Sequence, residues 1–290
     1  VLTNRVSGID TSGGFHYACT GWVMTGNAPL GGNATNMTMT VTNDSVLTWQ
    51  WMQQHQFTRT TNLGGTITGK TNGWYEAGST VTVTNNPTVG YHFTGWTGDV
   101  PPAQTNDNPL TLPLDQSRAV TGTFAINVYT LTVSSAHGGG EPPAGDYTYD
   151  HGTLMTNRML GLDTNVGSRF TCYGWTMQGN IPLAGATTNM TMTITNDAFL
   201  NWRWRTNYYL QFTNTGGGGI NRTNGWYGAG SNMNVTATPT SGYRFGHWGG
   251  DVPPGGETNN PLVLPVDQPR ALNTRFLLRG SVMTIRSDPP

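Results

Sequence analysis

Along this chain apolar and polar residues alternate with period two, in short runs separated by turns. Met37, Met39 and Val41 share one side, with Thr38, Thr40 and Thr42 opposite. Val81 and Val83 alternate with Thr80, Thr82 and Thr84; Leu110, Leu112 and Leu114 alternate with Thr111 and Pro113. Leu262, Leu264 and Val266 repeat that pattern, and Leu200, Trp202 and Trp204 face away from Asn201, Arg203 and Arg205. Such runs predict half-buried strands, with Trp49/Trp51 and Trp202/Trp204 on core faces. Pro113 and Pro265 cannot donate to a ladder, so their strands are expected at edges or bulges. No stretch sustains a 3.6-residue period. The expected class is all-β with little helix.

A repeat organises these strands. Cys19-Thr20-Gly21-Trp22 matches Cys172-Tyr173-Gly174-Trp175, and Asn36-Met37-Thr38-Met39-Thr40 matches Asn189-Met190-Thr191-Met192-Thr193. Asn72-Gly73-Trp74-Tyr75 recurs as Asn224-Gly225-Trp226-Tyr227, and Gly98-Asp99-Val100-Pro101-Pro102 as Gly250-Asp251-Val252-Pro253-Pro254. The offset is 152 to 153 residues throughout. Self-similarity at a fixed period marks a repeat architecture. The expectation is a tandem array of four small β modules arranged as two long repeats: 1–54, 55–127, 128–207 and 208–278, with a separate strand in 279–290.

Gly90-Tyr91-His92-Phe93-Thr94-Gly95-Trp96-Thr97-Gly98-Asp99 and Gly242-Tyr243-Arg244-Phe245-Gly246-His247-Trp248-Gly249-Gly250-Asp251 carry a family likeness. With Gly78–Val83 ahead and a closing strand ending at Phe124, they resemble the bacterial divergent internalin-type B-repeat. The resemblance covers the second and fourth modules. It implies compact β-grasp-like units of secreted and cell-surface proteins, an extracellular or cell-surface location, a structural or adhesive role, and no catalysis. The physics of the motif agrees, because Tyr, Phe and Trp at this spacing supply much of a small module's buried area. Asp99 and Asp251 suit backbone N–H groups of a turn.

Composition narrows the function classes. Only 10% of residues are charged and the net charge is −1, which gives no basic footprint for nucleic acid. No apolar run has the length of a membrane span. Cys19 and Cys172 occupy equivalent places and are expected as buried small residues, too few for a disulfide scaffold. His16, His55, His92, His137, His151 and His247 show no metal-ligand spacing, although His137 and His151 could meet across a turn. The oxygen-rich stretches Thr105–Asn108 and Asp163–Asn165 lack an EF-hand pattern and are expected as ordinary turns. No catalytic, cofactor or metal residue is assigned, and the chain is not expected to be an enzyme. Trp74-Tyr75 and Trp226-Tyr227 follow Asn-Gly turns and are the candidate glycan contacts, with packing as the competing reading.

The ends carry the sharpest expectation. Val1 aligns with Leu154, so the first module has no counterpart of 128–153, whereas Ser281–Ser287 aligns with Tyr129–Ser135. The expected function is a non-enzymatic extracellular structural protein. Its subunits join head to tail by donating the C-terminal strand to the N-terminal module of the next copy. Val282, Met283, Thr284 and Ile285 would enter beside Val1 and Leu2. Two other readings fit the alignment: a window of a longer array, and a tail folded onto its own first module. The alternative function is an adhesin or glycan-binding stalk segment.

Overall fold

The computed structural model describes residues 1–11, 15–280 and 283–287. Among the described residues the structure is all-β, and its one helical element is the single 3-10 turn Pro102–Gln104. The chain divides into two compact units, Val1–Asn127 and Val128–Pro290.

Each unit is built on one long strand, Val46–Thr61 in the first and Ala198–Asn214 in the second. In the first unit His16–Thr25 pairs antiparallel with the front half of this spine, and Arg118–Ile126 pairs parallel with its back half. Gln54 pairs with both His16 and Glu76, so those neighbours lie on opposite edges. Phe57 pairs with both Gly73 and Arg118, which puts Arg118–Ile126 on the same edge as His16–Thr25. The second unit repeats the plan, with Ser168–Gln178 and Arg270–Leu278 on one edge and Gly225–Gly228 on the other. Positions 54/55 and 207/208, where the repeat divides the modules, fall inside the spines. A single sheet therefore runs through both modules of a unit.

Burial follows the alternation. Even-numbered residues of the second spine, among them Leu200, Trp202 and Leu210, enter the cores, while Arg203, Arg205 and Tyr209 point outward. Four apolar clusters result among the described residues. They centre on Trp22 with Met24, Met37 and Met39; on Phe57 with Trp96; on Trp175 with Trp202; and on Leu210 with Trp248. Leu110, Leu112 and Leu114 are fully buried, as are Leu262, Leu264 and Val266. Both proline-ended strands are edges among the described residues: Leu110–Pro113 pairs there only with Thr80–Pro87, and Leu262–Pro265 only with Asn232–Val235.

The alternation fails at two positions of the first module. Val41 is 53% exposed and Trp51 37% exposed, although both sit on a face expected to be core. Their counterparts explain the difference. Ile194 lies at 1%, and Trp204 donates from Nε1 to Ser135 Oγ at 2.9 Å. Ser135 belongs to Val128–Ser135, a strand with no equivalent over the first module among the described residues.

Candidate functional site

The repeated motif builds the walls of the second and fourth modules. Trp96 is buried and donates from Nε1 to the Asp107 carbonyl at 2.7 Å; Trp248 donates to the Asn259 carbonyl at 2.8 Å. Asp99 accepts the Ala119 N–H at 2.8 Å, and Asp251 accepts that of Ala271 at the same distance. These carboxylates thus fasten the motif to the neighbouring strand rather than to their own turn. Arg118 bridges the Asp99 carbonyl and Asp115, and Arg270 bridges the Asp251 carbonyl and Asp267. The hydrogen bond from Arg270 holds the exposed Asp267 carboxyl below its usual range.

Gly65 and Gly218 have a shared task. A Cβ on Gly65 would stand 2.3 Å from the Phe124 ring, and one on Gly218 2.4 Å from Phe276. Only glycine lets the closing-strand phenylalanine lie flat on the backbone there.

A groove distinguishes the first module. In the second unit Val128–Ser135 pairs in parallel with the front of the spine, from Leu131↔Ala198 to Ser135↔Trp202. It drives Leu131 and Val133 into the core and is completed by Gly145–Asp150. Thr130 N–H donates to Asp197 Oδ1 at 2.8 Å, which fixes the register. Among the described residues, no strand pairs with the corresponding edge of the first spine at Val46–Trp49. In its place is an apolar groove of about 270 Å³ lined by Leu2, Met24, Met37, Met39, Val41 and Leu47. By the repeat offset these are the counterparts of Met155, Met177, Met190, Met192, Ile194 and Leu200, the packing around Leu131 and Val133. Asp44 also lines the groove, as the counterpart of Asp197, and its carboxylate has no partner among the described residues. Sequence reasoning treats Asp44 as a turn residue; the recurrence of Asn-Asp at 43–44 and 196–197 is the signal that could have singled it out.

Leu2 lies in the strand Leu2–Arg5, paired with Asn36–Met39 at the groove, and Val1 beside it is exposed. Met283, Thr284 and Ile285 belong to no strand, with Met283 83% and Ile285 80% exposed. Val282 lies outside the described residues. Cys19 and Cys172 are both free, Cys172 buried and Cys19 half-buried. His137 stacks on Phe170 at 3.6 Å, and His151 packs against Tyr129 at 6.0 Å. Among the described residues no group of three or more His, Cys, Asp or Glu side chains could hold a metal ion. No described helix is long and apolar enough to cross a membrane.

Two stretches, residues 55–128 and 208–276, match the family model of the divergent InlB B-repeat domain. Both segments belong to this B-repeat family. Among curated proteins none matches the chain. The family is a repeat-domain family, generally non-enzymatic and typically cell-surface or extracellular. The tryptophan-tyrosine pairs fall inside the B-repeat modules, and their members part ways. Tyr75 and Tyr227 pack against the module cores and donate from their hydroxyls to the Thr71 and Thr223 carbonyls. Trp74 and Trp226 lie on the outer face: Trp74 stacks on His16 at 4.0 Å, and Trp226 meets Tyr209 edge-on at 5.3 Å.

Proposed function

We propose that this chain is a non-enzymatic, extracellular structural protein whose copies join head to tail by strand complementation. The observation that carries the reading is the open edge of the first spine beside an apolar groove, where the second unit holds its strand Val128–Ser135. The donor is the segment 281–287 of a second copy. In the register of the second unit Met283 takes the place of Leu131 and Ile285 that of Val133. Thr284 then faces outward, as Thr132 does, and the Val282 amide reaches Asp44.

The energetics favour this occupant. Both donor side chains are exposed in the described structure, and burying each contributes about 1.5–3 kcal/mol as an upper figure. Pairing also satisfies backbone groups on a spine edge that no described strand covers. Leu2 and Val41, both exposed in the single chain, would become core, as their counterparts Met155 and Ile194 are, and Val1 would lie at the rim of the joint. A heterologous contact of this kind propagates into a filament unless the rotation closes a ring.

Sedimentation velocity and negative-stain microscopy of the intact chain test the reading. Association that rises with concentration and is lost in Met283→Asp/Ile285→Asp is the expected result. Asp44→Ala should weaken it without abolishing it. Association unchanged in the double variant, or a chain that stays monomeric at high concentration, overturns the proposal.

A further inference from the structure

A second surface is independent of strand complementation. On the outer face of the second unit's sheet, Tyr173 stands at the bulge between Cys172 and Gly174, opposite the spine. The guanidinium groups of Arg203 and Arg205 stack over its ring at 4.9 and 4.6 Å from the centroid. Further along the same face Arg169 lies over Trp226 at 4.9 Å, and Trp226 meets Tyr209 across the pair Tyr209↔Trp226. From Arg203 to Tyr209 the row runs about 20 Å along the strand.

The charges in this row are unspent. Among the described residues no carboxylate lies within ion-pair distance of Arg169, Arg203 or Arg205. Arg169 Nε is buried without a hydrogen-bond partner. Stacking on an aromatic ring holds a guanidinium plane in place, and the exposed side chains of Arg203 and Arg205 keep a fork of N–H donors open to solvent. Such a fork matches a carboxylate or sulfate group bidentately. Trp226 and Tyr209 add half-exposed ring surface of the kind that packs against the C–H face of a sugar.

The first unit supplies an internal comparison. At the equivalent positions it has Thr20 for Tyr173, Gln50 for Arg203, Met52 for Arg205, His16 for Arg169 and Gln56 for Tyr209, keeping only Trp74. The same backbone therefore carries no arginine at these positions in one unit and three arginines stacked on aromatic rings in the other. Structural demands on the sheet are met without the arginines.

We infer that this face of the second unit is a binding site for an acidic polysaccharide, with Arg169, Arg203 and Arg205 holding the acidic groups and Trp226 with Tyr209 stacking on the sugar rings. A net charge of −1 for the chain argues against nucleic acid, which is met by a broad basic surface rather than one row.

The test is equilibrium binding of the intact chain to polygalacturonate, with dextran sulfate, neutral dextran and single-stranded poly(dT) as parallel arms. Binding to polygalacturonate or dextran sulfate but not to neutral dextran is expected, and the two acidic arms tell uronate from sulfate ester. Arg203→Gln/Arg205→Met, which installs the first unit's residues, should lose at least about tenfold in affinity with its thermal unfolding unchanged. Tyr173→Thr, a second such exchange, should also weaken binding by releasing both guanidinium groups. Undiminished binding by the double variant, equal binding to neutral dextran, no binding to either acidic polymer, or tighter binding to poly(dT) would overturn the assignment.

Discussion

Gly122 and Asn85 show how one residue sets the shape of another in these modules. A Cβ on Gly122 would stand 2.2 Å from the Asn85 side-chain oxygen. The fourth module has Thr274 and Ala237 at the equivalent positions, so the bulk sits on the opposite partner. Each solution leaves buried polar atoms without partners: both side-chain amide atoms of Asn85 in one, the Thr274 hydroxyl in the other. Gly122→Thr should therefore destabilise the second module by about 1–3 kcal/mol through overpacking. Asn85→Ala added to it should restore most of that loss. Chemical denaturation of the three variants measures the coupling; strictly additive effects would show that the two sites do not share space. At this scale the cores were legible, because period-two alternation singles out Leu110, Leu112 and Leu114, and the repeated motif singles out Trp96 and Trp248, which lie beyond a bulge that breaks the alternation. Pair complementarity was not, since Gly122 and Asn85 are far apart in sequence and only the fold makes them neighbours.

Strands reveal a second limit of sequence reading. Gln53, Gln54, His55 and Gln56 show no alternation, yet the spine runs straight through them because His16–Thr25 and Gly73–Glu76 pair there. Backbone pairing between distant segments leaves no periodic trace in either one. The same position on the two spines then has different worth. Trp202 is buried and donates to Asn157 Oδ1 at 3.1 Å, whereas Trp49, bonded to Asn4 Oδ1 at 3.2 Å, is only half-buried. Trp202→Ala should cost about 3–5 kcal/mol, and Trp49→Ala no more than about half of that in the unassembled chain. Unfolding followed by tryptophan fluorescence and calorimetry separates the two. Equal losses would mean that the first module's core is closed by something other than the missing neighbour of its spine.

Each unit uses the same plan, with the spine edge covered by Val128–Ser135 in the second and, among the described residues, uncovered in the first. The B-repeat modules were legible from the motif ending in Gly-Asp. The groove became visible only when the exposure of Val41 and Trp51 was set beside the burial of Ile194 and the tethering of Trp204. Strand complementation makes one prediction that no packing argument inside a single chain makes: the edge Val46–Trp49 must become protected when copies meet. Amide hydrogen exchange across Val46–Trp49 in the intact chain, measured against concentration and against an added synthetic peptide of residues 279–290, tests this most directly. Exchange there should slow as either is raised, and slow less in Asp44→Ala. Rapid exchange at those amides at every concentration, with saturating peptide present, would contradict the account.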